Sequence, residues 1–183
     1  MDEKSVVEGL VLQVIDYQNN DGILHVLTKD QGVVSLFARG IQKDSSKNRR
    51  LGMPFTKVSL NYDPRYSKKM LYLINGSVLA SYWKAMDSLV MQTINAIVTS
   101  LMEQYSGTLL CYECLEAMWN AFHKGDLSQG ILMASLLVSD VLAEEGTLMN
   151  VDGCMRCQRT NQLAGLSFEK GGFVCIHHMD THT

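Results

Sequence analysis

The chain has 183 residues, with 16 lysines and arginines against 19 acidic residues and a formal net charge of -3. A hydrophobic content of 46%, a charged content of 19% and only two prolines exclude a disordered or Pro-rich chain. The net charge hides an asymmetry, because residues 1–84 carry 12 basic and 8 acidic residues whereas residues 85–183 carry 4 and 11. Such an asymmetry indicates modules with different partners.

The first part of the chain shows short apolar runs separated by turn-forming residues. Five of these runs have the alternation or the β-branched content of strands. Gly32 suits a left-handed position in the turn between the second and the third, and a basic stretch without periodicity precedes the fourth. Five strands within residues 6–75 predict a small barrel, of which the OB-fold is the commonest five-stranded form. The predicted strands are 6–15, 23–28, 33–39, 56–62 and 69–75.

After Gly76 the apolar residues recur at helical spacing. Three helices are predicted, over 78–103, 109–122 and 129–145, and Gly125 and Gly146 end the second and third. The last stretch is short and Gly-rich and holds three of the five cysteines. The fold class is therefore α+β and multidomain. We expect an OB-fold nucleic-acid-binding domain (1–76), a helical domain (77–150) and a zinc-finger-like module of the ribbon type (151–183).

Four residues of the last stretch have the spacing of metal ligands. Cys154 and Cys157 form one pair, and Cys175 with a following histidine forms the other, which is the pattern of a tetrahedral zinc site. His178 fits the two-residue spacing, and His177 is the alternative. Four protein ligands leave no open position, so we expect one structural Zn²⁺ ion. The competing interpretation is ordinary thiols beside a His-rich segment.

The other cysteine pair, Cys111 and Cys114, lies within an apolar helical pattern. A redox pair needs a strand-to-helix context that lowers a thiol pKa. These two residues are therefore predicted to be core thiols.

Basic residues are concentrated between Arg39 and Lys69. Only Asp44 and Asp63 oppose them, which gives a local net charge of +7. Phosphate backbones bind such a patch by releasing counterions, and aromatic side chains on a barrel add stacking platforms for bases. Strand parity makes Phe37 available for stacking and places Tyr62 and Tyr72 in the core; Tyr66 is undecided. The predicted nucleic-acid-binding residues are Phe37, Arg39, Lys43, Lys47, Arg49, Arg50, Lys57, Arg65, Lys68 and Lys69.

We infer the cellular compartment of the protein from its N-terminus, its apolar runs and its cysteines. Met1-Asp2-Glu3-Lys4 is acidic and precedes no long apolar run, so we expect no signal peptide. The longest apolar run, residues 131–143, is interrupted by polar residues and is expected to be too short to span a bilayer. An odd number of cysteines argues against a complete disulfide framework. We expect a cytosolic protein with reduced thiols and no membrane contact.

The chain resembles the RecO family of bacterial recombination mediators. The resemblance rests on short motifs in the barrel region, on the spacing from Arg39 to Phe55, on Ser46 and Lys47 in the basic loop, and on the late cysteine cluster. Family members usually continue with further helices beyond the position of His178. The matching motifs are Glu8-Gly9-Leu10-Val11-Leu12, Asp16-Tyr17, Leu27-Thr28, Gly32, Ala38-Arg39-Gly40, Pro54-Phe55, Cys154, Cys157, Gly171-Gly172-Phe173 and Cys175.

Membership would imply an OB-fold that binds single- and double-stranded DNA and anneals complementary strands. It would also imply partnership with RecR and the single-strand-binding protein for loading RecA, in the bacterial cytoplasm at the nucleoid. No catalytic residues come with the resemblance. The helical region is acidic, and like charge opposes docking of the acidic tail of the single-strand-binding protein, so RecR contact is the firmer expectation.

Two alternatives remain open from the residues. One is an RNA- or transcription-associated binding protein that uses the same barrel and zinc ribbon without annealing strands. The other is a metal-dependent hydrolase that uses His177 and His178. An enzyme needs an open coordination position and a general base, and the sequence offers neither clearly, so we expect no enzymatic activity.

Overall fold

A computed structural model of the protein describes residues 5–63, 71–105 and 108–179. By their contacts the residues form two compact units, Met1–Val138 and Ser139–Thr183. The first unit contains the five strands of a barrel, two complete helices and most of a third. The second contains the end of that helix and a two-stranded hairpin. The three domains expected at 1–76, 77–150 and 151–183 stay a prediction.

The barrel is closed and has the strand order β1-β2-β3-β5-β4. Neighbouring strands pair antiparallel except β3 and β5, which pair parallel through Leu36 with Leu71 and Phe37 with Tyr72. This is the order expected of the predicted five-stranded barrel, and Gly32 has the predicted left-handed conformation (φ 63°). The strands are β1 Ser5–Tyr17, β2 Asp21–Thr28, β3 Gly32–Ala38, β4 Thr56–Asp63 and β5 Leu71–Ser81.

The predicted start of the first helix, at residue 78, is wrong. Strand β5 continues through Ser81, where Ala80 pairs with Lys57 and Ser81 pairs with Thr56. The segment Val78-Leu79-Ala80 is apolar in consecutive positions, so it fits a helical period as well as a strand. Pairing with β4 decides between the two, and that pairing is a long-range contact.

The basic loop, residues 39–54, is tied to the barrel by two apolar side chains. Ile41 and Leu51 are each 3% exposed and join the core formed by Val11, Leu24 and Leu36. Burying each of these side chains contributes about 1.5–3 kcal/mol. The loop is therefore an ordered element, although its sequence has no period.

Hydrogen bonds and a short helical turn complete this anchoring. The Gly40 amide donates to the Asp21 carboxylate at 2.6 Å, and the Gln42 side chain donates to Asp16 at 2.7 Å. A 3₁₀ turn, Arg49–Gly52, closes the loop. The loop thus holds its cations on a fixed backbone.

Three helices follow: α1 Leu89–Gln104, α2 Leu109–Lys124 and α3 Leu127–Glu144. Ser88 and Thr108 cap the first two, since their side chains accept hydrogen bonds from the first-turn amides. Gly125, at φ 80°, ends α2 as predicted. Gly130 lets α3 approach α2, because a Cβ there would lie 2.0 Å from the Phe122 ring.

Within the described residues, α3 is long and apolar enough to cross a membrane by length and composition alone. Its 18-residue window has a mean hydropathy of 1.3, and 22% of that window is buried. A core helix of a soluble protein meets the same criteria. The predicted apolar run, 131–143, lies within α3, and the helix predicted over 129–145 corresponds to this element. Absence of membrane contact stays an expectation.

Helix α2 is joined to the barrel around Trp119. This side chain is fully buried, its ring lies 5.5 Å from Phe55 and 6.0 Å from Tyr82, and its indole N–H donates to Asn95 at 2.6 Å. Glu116, one turn earlier, pairs with Lys57 of β4 at 2.7 Å. The barrel and α2 are therefore joined by buried aromatic rings around Trp119, with polar groups at the edge of this contact.

The Tyr82 hydroxyl at this rim should lose its stabilising effect at alkaline pH. Burial first, and then the Glu116 carboxylate to which the hydroxyl donates at 3.2 Å, raise the pKa of Tyr82 to about 12. The unfolded chain releases the proton near its ordinary pKa of about 10, so it ionises before the folded protein does. The contribution of this group to the free energy of unfolding should therefore be constant below about pH 10 and should be lost between about pH 10 and 12.

Urea unfolding at several pH values across that range would measure the effect. Tyr82→Phe is the matched control, because it keeps the ring against Trp119 and removes the titrating hydroxyl. Its unfolding free energy should fall less steeply with pH than that of the wild type. Parallel pH profiles of the two proteins would contradict the assignment.

Candidate nucleic-acid interface and metal centre

The structure brings Cys154, Cys157, Cys175 and His178 together. Their sulfur and ring-nitrogen atoms all lie within 4.8 Å of one another. The His178 Nδ1 is 3.6 Å from the Cys154 sulfur and 3.4 Å from the Cys175 sulfur, and the Cys157 and Cys175 sulfurs are 3.8 Å apart. A tetrahedron with Zn–S bonds of about 2.3 Å and Zn–N bonds of about 2.0–2.1 Å has edges of about 3.8 Å and 3.5 Å. The four residues could therefore bind a metal ion.

Two turns and a hairpin position these ligands. The hairpin consists of β6 Leu163–Ser167 and β7 Gly172–Cys175, and Cys175 is its last residue. A tight turn follows, in which the His178 amide donates to the Cys175 carbonyl at 2.9 Å. The first pair lies on a separate turn, which the Cys154 amide closes by donating to the Arg159 carbonyl at 2.9 Å.

Backbone contacts dock the first turn on β7. The Met155 amide donates to the Phe173 carbonyl at 2.8 Å, and the Phe173 amide donates to the Asn150 carbonyl at 3.0 Å. Gly172 is required here, because a Cβ at this position would lie 2.4 Å from the Asn150 carbonyl oxygen. The glycines that the sequence showed in this stretch therefore permit the approach that closes the cluster.

Cys154 is prepared as a thiolate ligand. Burial acts to raise the pKa of its thiol, but backbone hydrogen bonds from Cys175, Arg156 and Cys157 outweigh burial and lower the pKa to about 5. The thiolate is the form that binds metal ions. Cys111 and Cys114, by contrast, are buried in α2, which confirms the prediction that they are core thiols.

The predicted DNA-binding cations of the loop are exposed on its surface. Arg39, Lys43, Lys47, Arg49 and Arg50 all face solvent. Arg49 forms an ion pair with Asp44, whose side chain is almost fully exposed. An exposed pair of this kind contributes about 0–1 kcal/mol, so a phosphate can replace Asp44 at little cost.

Lys57 is placed differently from the loop cations. Its side chain is 20% exposed, and its ammonium is paired with Glu116. The hydrogen bond to Glu116 is the main reason why the pKa of Lys57 is raised. Its charge is thus engaged in the junction between β4 and α2. The remaining predicted cations, Arg65, Lys68 and Lys69, lie outside the described residues, as does Tyr66.

Three aromatic side chains meet on the outer face of the barrel. The Phe37 ring lies 5.8 Å from the Tyr17 ring and 5.3 Å from the Tyr72 ring. Tyr17 is 53% and Tyr72 is 40% exposed, and Phe37 is half-buried between them. Arg39, the first cation of the basic loop, follows Phe37 by two residues. We call Tyr17, Phe37 and Tyr72 the aromatic cluster.

The prediction that Tyr72 lies in the core is wrong. In β5 it is Leu71 and Leu73 that pack against the barrel core, and Tyr72 and Ile74 face outwards. Both parities of this strand are apolar, so the pattern alone does not select the inner face. Sequence reasoning also missed Tyr17, whose turn-forming neighbours concealed that it ends β1 beside Phe37.

The comparisons with known families and with known proteins both find RecO proteins. The family described as "Recombination protein O N terminal" matches residues 1–82. Proteins named "DNA repair protein RecO" are similar along most of the chain: that of Halalkalibacterium halodurans is 22% identical over 92% of this chain and 66% of its own length. That of Exiguobacterium sibiricum is 24% identical over 93% and 69%, and that of Anaeromyxobacter dehalogenans 26% over 94% and 70%. The chain spans about two thirds of the length of these relatives.

The fold and the site define a class of protein. A closed OB-type barrel, followed by helices and a Cys/His cluster that could bind a metal ion, places the chain among the OB-fold proteins that carry a small metal-binding module. The family match of residues 1–82 and the similarity along more than nine tenths of the chain then indicate the particular proteins. The chain is similar to the DNA repair proteins named RecO, and its barrel matches the family of their N-terminal domains.

Proposed function

We propose that the chain is a DNA repair and recombination mediator that binds single- and double-stranded DNA and anneals complementary strands. The observation that carries the proposal is the aromatic cluster beside an ordered basic loop. The names of the relatives, DNA repair proteins of bacteria, support the same function. The site of action is then the bacterial cytoplasm, at the nucleoid.

The basic loop and the aromatic cluster contact different parts of a single strand. The cations attract the phosphates and release counterions, which contributes affinity without sequence preference. The rings offer flat faces to unpaired bases, and each stacked base contributes about 1–3 kcal/mol. A duplex can contact the cations with its phosphates, but its base faces are stacked inside the helix. Such a surface therefore binds a single strand through its backbone and bases and releases it to a complementary strand.

The Cys/His cluster supports a structural role for the metal in this function. Three thiol groups and one imidazole suit Zn²⁺, and four protein ligands complete its tetrahedron. Bound zinc would hold the hairpin and the turn of Cys154 and Cys157 together. Because no coordination position is left for water, the proposed function is binding rather than catalysis.

The protein partners that we propose act at the same step of repair. The family suggests RecR and the single-strand-binding protein, which act together with such a mediator when RecA is loaded. Residues 85–183 carry an excess of acidic over basic residues, so an acidic tail is repelled there. RecR is therefore the partner that we propose first.

Replacing Phe37 and Tyr72 by Ala should slow annealing of complementary oligonucleotides. Loss of two ring faces is expected to weaken single-strand binding by about 1–3 kcal/mol per base stacked, which is about five- to 150-fold for each. Annealing can be followed by fluorescence energy transfer between labelled strands, with and without RecR. Double-strand affinity, which depends on the cations, should change little.

Two controls sharpen this experiment. The Tyr17→Phe variant keeps a ring in the cluster and should anneal like the wild type. RNA oligonucleotides of the same sequence test the alternative of an RNA-associated protein. If the wild type bound RNA but neither bound nor annealed DNA, the mediator function would be ruled out.

A further inference from the structure

A second aromatic site lies at the other end of the basic loop. Trp83 belongs to the 3₁₀ turn Trp83–Asp87 that follows β5, and it is 56% exposed. It borders a groove of about 340 Å³, which is within the roughly 300–1,000 Å³ of sites that bind small organic groups. Arg50 of the basic loop lines the same groove. The residues that line it are Arg50, Met53, Pro54, Thr56, Val78, Ser81, Trp83 and Met86.

The groove combines an apolar interior with positive charge at its rim. Met53, Val78 and Met86 are all more than a third exposed, so the groove presents thioether and aliphatic surface to solvent. No carboxylate among the described residues pairs with the Arg50 guanidinium. The Lys84 ammonium lies 5.8 Å from the centre of the Trp83 ring. This chemistry suits a flat, apolar group that is attached to an anion.

The walls of the groove are held in place from beneath. Phe55, which follows the groove residue Pro54, has a left-handed backbone (φ 54°), a strained conformation for a bulky side chain. Its ring is buried against Trp119, and its carbonyl accepts a hydrogen bond from the Tyr82 amide at 2.9 Å. Pro54 and Trp83, on opposite sides of that bond, are therefore at a fixed separation before any ligand arrives.

The basic loop connects this groove to the aromatic cluster. Arg39 begins the loop two residues after Phe37, and Arg50, the last cation of the loop, lines the groove. A strand whose phosphates follow the loop thus passes from one set of rings towards another. A peptide with an acidic and an apolar part is the other occupant that such a groove could take, but the five exposed cations of the basic loop favour a polyanion.

We propose that the Trp83 groove binds an unstacked base of single-stranded DNA, with Arg50 on the adjoining phosphate. The inference rests on the proposed function, and it adds a second base-binding site to the aromatic cluster. The base stacks on Trp83 and is packed by Met53 and Met86. The Ser81 hydroxyl, which lines the groove, can meet the base edge.

Tryptophan fluorescence of the full chain tests this directly. The chain has two tryptophans, and Trp119 is fully buried, so contact of a base with an indole reports on Trp83. Titration with a short oligothymidylate should quench the emission and protect it from acrylamide. An abasic deoxyribose-phosphate oligomer of the same length should bind through the cations without quenching. Trp83→Phe should abolish the quench, and Trp83→Ala should weaken oligothymidylate binding about five- to 150-fold.

Binding itself is followed separately by the anisotropy of a dye on the oligonucleotide. If the wild type binds by anisotropy while Trp83 emission and acrylamide access stay unchanged, the groove is not a base site and the proposed function stands. If no oligonucleotide binds, both the base site in the groove and the proposed function are overturned. Quenching by the abasic oligomer, or by an acidic apolar peptide that does not compete with the oligonucleotide, would also overturn the assignment. Trp83→Ala must retain the wild-type melting temperature, and Trp83→Phe, which keeps a ring, must retain most of the affinity.

Discussion

His178→Ala should release the metal ion from the protein and unfold the hairpin of β6 and β7, whereas His177→Ala should change neither. The two histidines are adjacent, but only His178 directs a ring nitrogen at the cysteine sulfurs, at 3.4 and 3.6 Å. A structural zinc ion contributes about 10–16 kcal/mol of apparent binding free energy at neutral pH. The hairpin has strands of only five and four residues, and an isolated two-stranded hairpin is marginally stable, so we expect its folding to depend on the metal.

Metal analysis of untagged protein should give about one equivalent of zinc for the wild type and for His177→Ala, and less than half for His178→Ala. Hydrogen exchange should show loss of protection at the Met155, Phe173 and Ile176 amides, which donate to backbone carbonyls in this unit. Cys114→Ala provides a further control, because that thiol is buried in α2. Equal zinc loss in the two histidine variants, or a zinc-free wild type, would refute the site.

Low pH should release the same ion. Each ligand must lose a proton to bind, so zinc affinity falls as pH falls. The pKa of Cys154 is lowered to about 5, so this thiolate stays available down to about pH 5. Zinc release in the acid titration should therefore precede any loss of the Trp119 environment in the first unit.

How much of the fold could be predicted depended on whether the information was local. The alternation in residues 56–62 and the glycine turn at Gly32 indicated three of the five predicted strands, because each signal lies within a few residues. The end of β5 was misplaced, since Val78 to Ala80 is apolar at every position and only its pairing with Lys57 and Val58 makes it a strand. The order of the loop was also hidden, because Ile41 and Leu51 are two isolated apolar residues in a polar segment.

The metal site was the more predictable of the two sites. Ligand spacing in a Cys/His cluster is set by the geometry of a turn, so Cys154 and Cys157 are recognisable within four residues. The aromatic cluster has no such signature. Tyr17, Phe37 and Tyr72 come from three strands, and their contact follows from the parallel pairing of β3 with β5 and from the barrel closure. Lys57 likewise looked like one more surface cation until Glu116 of α2 was placed beside it.

Reversing the charge of Lys47, Arg49 and Arg50 to Glu should reduce single-stranded DNA affinity by about 100-fold at 0.1 M salt. Each phosphate contact contributes about 0.7 to the slope of log affinity against log salt, so three lost contacts lower that slope by about 2. The fold should survive, because all three side chains are exposed and the loop is anchored by Ile41 and Leu51 instead. Loss of the pair between Arg49 and Asp44 costs about 0–1 kcal/mol.

A control variant must distinguish the effect of the basic-loop cations from the effect of the net charge of the chain. Reversing Lys29, Lys124 and Lys170 changes the net charge of the chain by the same amount but leaves the loop intact, and the salt slope should then stay close to that of the wild type. Asp44→Asn tests the opposite sign: it removes the carboxylate that competes for Arg49, so affinity should rise. If both triple variants lost affinity equally, net charge rather than the loop would account for binding. If the loop variant kept its slope, the phosphates would lie elsewhere on the barrel, and the groove of Trp83 would lose the strand that is proposed to enter it.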